Sequence, residues 1–284
     1  MDNRPGEAAC GLFATAELLV QYPSSTYNPS PLLGGKRLRI FSRFFHKAGN
    51  LPAPQQDNCL LVDESEIRRA VLTFPAGSVG GPDNLRPQHI GLRDMMICQE
   101  SGHDFLTVLI AFVNLVLSGR CPSEVAPIFF GGCLLALNKK SGGSCPIVIG
   151  FSLRRLASKC ANSFGINRLK AYFRPNQLGV GTSGGCEAAI HSARRFLQAL
   201  PTDHVLVKLD FTNAFNSLHR RDMVLSVHSR IPEICAYCHS VYGQPSVLFH
   251  GPYTVSSEEG SQQGEVLFYF VTPSSLCSRR WIRT

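Results

Sequence analysis

A single carboxylate, Asp210, stands where an apolar segment of the chain gives way to a tight turn. Residues 205–209 read Val-Leu-Val-Lys-Leu, and this mostly apolar, β-branched run predicts a buried strand. A carboxylate at the end of such a strand is costly to desolvate unless a cation or hydrogen-bond donors compensate it. Polar turn residues follow, and a helical pattern resumes at Leu218. The pattern therefore indicates a metal-anchoring residue, with a turn-capping Asp after a core strand as the alternative.

Residues 208–217, Lys-Leu-Asp-Phe-Thr-Asn-Ala-Phe-Asn-Ser, resemble the first catalytic motif of the reverse transcriptases of non-LTR retrotransposons. In that family the Asp binds catalytic magnesium, and the aromatic residue five positions later blocks the 2′-hydroxyl of an incoming nucleotide. The resemblance implies that Asp210 is the catalytic, metal-binding residue and that Phe211 and Phe215 contact the nucleotide. It also implies two Mg²⁺ ions as the cofactor. The implied partners are an RNA template, a DNA primer and deoxynucleoside triphosphates.

Composition and charge are compatible with this class of protein. The chain has 284 residues, 44% hydrophobic and 17% charged, which is typical of a globular protein. Its formal net charge of +8 favours an acidic partner, with nucleic acid ahead of an anionic membrane. Eleven irregularly spaced cysteines and an N-terminus without a secretory signal predict free thiols in an intracellular, non-secreted protein. The apolar run Phe105–Leu117 is shorter than the roughly 20 residues of a bilayer span, so we expect a core helix and no membrane association.

Two basic elements precede the Asp210 segment. Residues 138–147 have the pattern of a β-hairpin with a basic, Gly-rich tip, and residues 151–159 have that of a helix. A basic hairpin followed by a basic helix suits a triphosphate and a template backbone, although solvated charges on a turn and a helix face are the alternative. The pair resembles the family's fingers motifs, except that Cys145 stands where an Arg usually precedes the Pro-Ile pair. The residues implied to bind nucleotide are Lys139, Arg154, Arg155 and Lys159.

Two Gly-rich loops extend the resemblance. Residues 80–84, Gly-Gly-Pro-Asp-Asn, resemble the Gly-Pro-Asp-Gly loop of the fingers, and Asn84 is expected to accept the positive φ of the Gly that it replaces. Residues 260–264, Gly-Ser-Gln-Gln-Gly, resemble a later loop that cradles the template and the base of the incoming nucleotide. The resemblance assigns that contact to Gln263 and Gly264. The likeness ends after Gly264.

The remaining local patterns predict the elements around these motifs. Asp63 and Glu66 form a capping-box pattern at the start of a helix. The other predictions are an apolar helix from Ser101 to Gly119, a strand over 129–137 that Gly131-Gly132 interrupts, a helix with buried thiols over 235–239, and a hairpin turn at 250–252.

A different enzyme class has one local pattern in its favour. Residues 181–185, Gly-Thr-Ser-Gly-Gly, fit the Gly-x-Ser-x-Gly nucleophile elbow of serine hydrolases, with Ser183 as the nucleophile. A predicted helix over 187–200 would suit an elbow. The residues before it are turn-like and leave only 178–180 as a strand. A serine hydrolase is the alternative to the polymerase.

The patterns together predict an α+β fold, namely the fingers plus a partial palm of a right-hand, reverse-transcriptase-like polymerase. We expect an N-terminal extension with a basic aromatic helix over 1–56, the polymerase-like domain over 57–271, and a dissimilar tail over 272–284. Nucleotidyl transfer needs two metal ions about 3.5–4 Å apart, held by several carboxylates, and no Asp follows Gly264. The chain alone is therefore expected to be inactive as an RNA-directed DNA polymerase, as a truncated enzyme would be, with a non-catalytic nucleic-acid-binding remnant as the alternative.

Overall fold

A computed structural model of the chain describes residues 51–53, 58–88, 101–138, 144–201, 204, 206, 215, 216 and 218–263. The fold within these residues is mixed α+β, as the sequence predicted, and consists of a helical core and one small sheet. The helices are α1 (Glu64–Leu72), α2 (Ser101–Leu117), α3 (Ala126–Phe129), α4 (Ser152–Phe173), α5 (Gly185–Gln198), α6 (Arg220–Arg230) and α7 (Cys235–Tyr242), with a 3₁₀ turn at Pro232–Ile234.

The sheet has the strand order β2-β1-β3-β4. Its strands are β1 (Gly132–Asn138), β2 (Ser144–Ile149), β3 (Ser246–His250) and β4 (Tyr253–Ser257). The pairs β1–β2 and β3–β4 are antiparallel hairpins, and both confirm the sequence prediction. Strands β1 and β3 are parallel, with Gly132 opposite Leu248. That parallel pair joins parts of the chain more than a hundred residues apart and brings the loop after β4 to the side of the β1–β2 hairpin.

Helix α1 begins at the predicted capping box. The Asp63 carboxylate accepts the Glu66 backbone N–H at 2.9 Å, and the Glu66 carboxylate accepts the Asp63 backbone N–H at 3.0 Å. These two reciprocal bonds satisfy donors that the first turn of a helix leaves without an intrahelical partner. The helix ends at Leu72, three residues before Pro75.

Helices α1, α2, α4, α6 and α7 enclose the main hydrophobic core. The long apolar helix was predicted from Ser101 to Gly119, and α2 confirms it to within two residues. Asn114 is the one side-chain amide in the apolar run of α2, and it binds the residue Val62 just before α1. Its side chain accepts the Val62 N–H at 2.8 Å and donates to the Val62 carbonyl at 3.1 Å. The predicted buried thiols are also present, since Cys235 and Cys238 of α7 are fully buried.

The loop over 78–86 packs tightly against the start of α4. A Cβ on Gly81 would lie 2.6 Å from the Gly150 carbonyl oxygen, so only glycine allows this approach. Asn84 has φ +55°, which confirms the expectation for this position. The Asp83 carboxylate accepts the Leu85 N–H at 3.1 Å and closes the turn.

Three local predictions differ from the structure. The strand predicted over 129–137 begins only at Gly132, because Phe129 ends α3 and the Gly131 N–H still donates to the Ile128 carbonyl at 3.0 Å, as part of the helix end. Residues 178–180 form no strand, and residues 179 and 180 are bends. Leu206, predicted to lie in a buried strand, is 50% exposed and has no strand partner among the described residues. The rest of the predicted Asp210 strand lies outside those residues.

The predicted domain limits at 56 and 271 stay predictions, because they fall at or beyond the edge of the described chain. No helix in the described ranges has the length and apolar character needed to cross a bilayer.

Candidate functional site

The segment that follows Asp210 and the Gly-rich loop are in direct contact. The Ser261 backbone N–H donates to the Phe215 carbonyl at 2.9 Å, and the Ser261 hydroxyl approaches the same oxygen at 3.4 Å. Gly260 has φ +71°, and a Cβ there would lie 2.7 Å from the Asn216 Cα. The loop therefore lies against the turn at 215–216 at a distance that only glycine permits.

The other end of this loop is joined to the edge of the sheet. The Val148 N–H on β2 donates to the Gln263 carbonyl at 2.8 Å. The Cys145 thiol approaches the Gln263 side-chain oxygen at 3.4 Å. Cys145 is the residue that replaces the Arg of the fingers pattern, and here it contacts the Gly-rich loop. Gln263 is half-buried at this junction.

Arg154 lies inside the protein. Its side chain is fully buried, and its guanidinium donates to the carbonyls of Phe130 at 2.6 Å and Gly131 at 2.7 Å. A third bond, of 2.9 Å, runs to the side-chain oxygen of Gln262. The sequence assigned Arg154 to the nucleotide, but these bonds use it to connect α4, the start of β1 and the Gly-rich loop. Its burial follows from its position on the core-facing side of α4.

Gln262 completes this buried connection. It is 4% exposed, and its amide nitrogen donates to the Phe130 carbonyl at 3.1 Å and to the Ser246 hydroxyl at 2.9 Å. Both polar ends of the side chain are thus bonded inside the protein. The amide holds the loop to the first residue of β3.

Two other cations of α4, Arg155 and Lys159, contact the end of α1 and the residues that follow it. Arg155 is buried and donates to the Val79 carbonyl at 2.8 Å, and its guanidinium lies 5.3 Å from the centre of the Phe74 ring. Lys159 is half-buried and donates to the Thr73 carbonyl at 3.1 Å and to its hydroxyl at 2.9 Å. Burial, and secondarily the neighbouring Arg155, lowers the pKa of Lys159 to about 8. Lys159 thus satisfies the C-terminal end of α1, whereas Arg155 bonds to the loop that follows it, and neither cation is presented on an open helix face.

Sequence reasoning did not assign Arg220, which holds the same loop from the other side. Its side chain is fully buried, and its Nε donates to the Gly260 carbonyl at 3.0 Å. Desolvation lowers the pKa of this guanidinium, while Tyr242 and Glu259 oppose that shift. A signal was present, because Arg220 shares a helical stripe with the buried residues Met223, Val224 and Val227, at spacings of three, four and seven.

The remaining predicted site residues, Asp210, Phe211, Lys139 and Gly264, lie outside the described part of the chain. Phe215 is described and half-buried, beside the Gly-rich loop. The structure thus brings Phe215 and Gln263 into one region and joins Arg154 to it through Gln262. Arg155 and Lys159 lie at the α1–α4 contact.

The described residues do not supply a ligand set for two Mg²⁺ ions. Within them, no group of three or more His, Cys, Asp or Glu side chains is arranged to hold a metal ion. Glu259 directly precedes the Gly-rich loop, and its carboxylate accepts the Arg220 backbone N–H at 2.9 Å. It serves as a cap for α6.

The serine hydrolase pattern has its helix but not its strand. Helix α5 begins at Gly185, two residues after Ser183, whereas bends precede the serine. Among the described residues other than glycine, Asn84 alone has positive φ, so Ser183 does not adopt the strained backbone of a nucleophile elbow. His191 is exposed and lies 4.0 Å from Glu187, one turn away on α5.

No protein-family model matches the chain, and no curated protein matches its sequence.

Proposed function

We propose that this chain is the fingers and partial palm of a reverse-transcriptase-like domain that binds RNA and RNA–DNA primer–template and does not polymerise by itself. The bound surface is the region where the 215–216 turn meets the Gly260–Gln263 loop beside strand β2. The parent function would be that of an RNA-directed DNA polymerase of a non-LTR retrotransposon.

The observation that carries the proposal is the contact between motifs that are far apart in sequence. Phe215 and Ser261 share a hydrogen bond of 2.9 Å, and Gln263 bonds to Val148 of the hairpin. The resemblance assigns all three segments to one nucleotide and template site. A set of chance local matches gives no reason for these segments to meet, whereas a shared site requires it.

Charge supports a nucleic-acid partner. The net charge of +8 attracts a phosphate backbone, and each phosphate neutralised by a cation releases condensed counterions. Because Arg154, Arg155 and Lys159 are bonded to protein groups, we assign direct phosphate contact to Lys139 at the hairpin tip.

The absence of synthesis follows from the acidic residues of this chain. Asp210 is the carboxylate that the resemblance offers to the metal ions, and no Asp occurs after Gly264. One carboxylate does not hold two ions in the register that in-line transfer needs. A primer-extension assay with Mg²⁺ is expected to give no product. Synthesis that Asp210→Ala abolishes would contradict this part of the proposal.

Binding is tested with a fluorescein-labelled DNA primer annealed to an RNA template, by fluorescence anisotropy over a series of salt concentrations. We expect the logarithm of affinity to fall steeply with that of salt concentration, by about 0.7–0.9 per phosphate contact. Lys139→Gln should lower that slope by about 1. The matched control is Lys170→Gln, which removes an exposed lysine of α4 and should leave the slope unchanged. Binding that is absent, or independent of salt, contradicts the proposal.

A further inference from the structure

Arg220 is the first residue of α6 and lies five positions after Phe215. A fully buried guanidinium is costly unless its donors are bonded, because the interior solvates charge poorly. The hydrogen bonds of the guanidinium therefore indicate the role of Arg220.

The guanidinium bonds to two segments: residues 257–260, which lead into the Gly-rich loop, and the turn at Gln244, which follows α7. In addition to Gly260, it donates from Nη2 to the Ser257 hydroxyl at 2.8 Å and from Nη1 to the Gln244 carbonyl at 3.2 Å. The Tyr242 ring lies over it, with 5.3 Å between the guanidinium carbon and the ring centre. All three donor nitrogens thus have acceptors, and two of them bind the segment from Ser257 to Gly260.

The backbone of the same residue bonds to this segment as well. The Arg220 N–H donates to the Glu259 carboxylate at 2.9 Å, so Glu259 caps the N-terminus of α6. The Arg220 side chain in turn bonds to Gly260, the next residue. Arg154 holds the other half of the loop through Gln262. Two buried arginines on different helices therefore fix the loop between them, and the Ser261–Phe215 bond sets it against the turn after Asp210.

We infer that Arg220 is a positioning residue for the nucleic-acid site: its guanidinium fixes the Gly260–Gln263 loop against the 215–216 turn in the shape that receives the primer–template. The role rests on the proposed function, since the loop is the surface that contacts template and nucleotide there. Arg220 itself touches no substrate because its side chain is enclosed.

The geometry requires an arginine. Acceptors lie around three separate nitrogens of a planar fork, and the fork is held in one plane beneath the Tyr242 ring. A lysine retains the charge but presents a single nitrogen, which cannot reach acceptors spread around that fork. Arg220→Lys therefore removes the positioning and keeps the charge.

The test compares Arg220→Lys with Arg230→Lys in the full chain. Arg230 is at the other end of α6, half-buried, with its guanidinium 4.1 Å from the centre of the Tyr172 ring, and it makes no described contact with the loop. Amide hydrogen exchange is followed over residues 257–263, together with primer–template affinity, its salt slope and the urea midpoint of each variant.

We expect Arg220→Lys to speed exchange over residues 257–263 and to raise the Kd for primer–template roughly tenfold, with the salt slope unchanged. The slope stays constant because no phosphate contact is lost. Arg230→Lys should leave exchange in the loop and the Kd near those of the wild type.

Three results overturn the inference: unchanged exchange in the loop, a change in the loop equalled by Arg230→Lys, or faster exchange and lower stability with an unchanged Kd. If the wild-type chain binds no primer–template, the proposed function fails and the nucleic-acid role of Arg220 fails with it. The exchange measurement then still decides whether Arg220 fixes the loop, so the two failures are distinguishable.

Discussion

Replacing Gly260 by Ala tests the contact between the Gly-rich loop and the turn after Asp210. The change adds one methyl group at a point where the two backbones meet. The new Cβ would lie 2.7 Å from the Asn216 Cα and 3.0 Å from the carbonyl oxygens of Phe215 and Asn216. All three atoms belong to the backbone, so relief requires the two segments to separate.

Two costs contribute to the expected loss of stability. Gly260 has φ +71°, and a left-handed backbone costs an L-residue roughly 1–2 kcal/mol. Forcing a methyl group into a filled space adds about 1–3 kcal/mol. Gly77→Ala is a control for the first cost, because Gly77 has φ +77° and a Cβ added there would meet no atom within 4 Å.

Urea unfolding of both variants separates the two costs. We expect Gly260→Ala to lower the free energy of unfolding by about 1–3 kcal/mol more than Gly77→Ala does. It should also weaken primer–template binding, because the loop moves away from Phe215. Equal losses in the two variants would refute the close contact, and with it the inference that these motifs form one site.

The other predictions concern individual buried or capping groups. Arg154→Met should lower the free energy of unfolding in urea by roughly 3–5 kcal/mol, because it leaves buried carbonyls without their donor. Arg168→Met, which breaks the exposed ion pair with Glu233, should lower it by under about 1 kcal/mol. Similar losses in the two variants would contradict the assignment of Arg154 to the interior. The pKa of Lys159 is about 8 in the folded chain and about 10.4 when unfolded. Between these two pH values the unfolded state therefore binds more protons than the folded state. The free energy of unfolding of the wild type, relative to that of Lys159→Met, should rise with pH across this range. A flat difference between the two unfolding curves would show that Lys159 is not desolvated. Asp63→Ala should cost about 1 kcal/mol, and adding Glu66→Ala should cost less than the sum of the single changes, since both residues belong to one capping box; strict additivity in thermal unfolding would argue against it.

Local signals in the sequence predicted much of the fold. The capping box at Asp63, the apolar periodicity of α2 and the turn residues at Gly251 each depend on neighbours within a few positions. Asn84 is the clearest case, because the turn needs positive φ and Asn tolerates it. Signals of this kind need no knowledge of the rest of the chain.

The placement of the cations could not be predicted in the same way. Arg154, Arg155 and Lys159 form a basic cluster in sequence, and that pattern alone fits a phosphate site. The carbonyls that accept from these cations belong to residues distant in sequence: Phe130 for Arg154 and Val79 for Arg155. The local pattern contains no information on those partners.

The partner of Gly131 and the exposure of Leu206 could not be predicted from neighbouring residues either. Strand pairing between β1 and β3 brings Val247 against Gly131; the Gly131-Gly132 pair indicates an interruption of the strand, but not which segment approaches there. An apolar run predicts a buried strand only if neighbouring strands cover it. Arg220 was detectable in principle, as a charge on the apolar stripe of α6, but its partners were not.

Photo-crosslinking decides whether nucleic acid binds where the Phe215 turn meets the Gly260–Gln263 loop. Phe215 is replaced by p-benzoylphenylalanine, and the full chain is irradiated with a labelled RNA–DNA primer–template. Phe196 on α5 is a matched control position because it is 49% exposed and therefore more accessible than the half-buried Phe215. We predict a crosslink from position 215 and none above background from position 196. Crosslinking that is absent at 215, or equal at the two positions, would contradict a nucleic-acid site in this region.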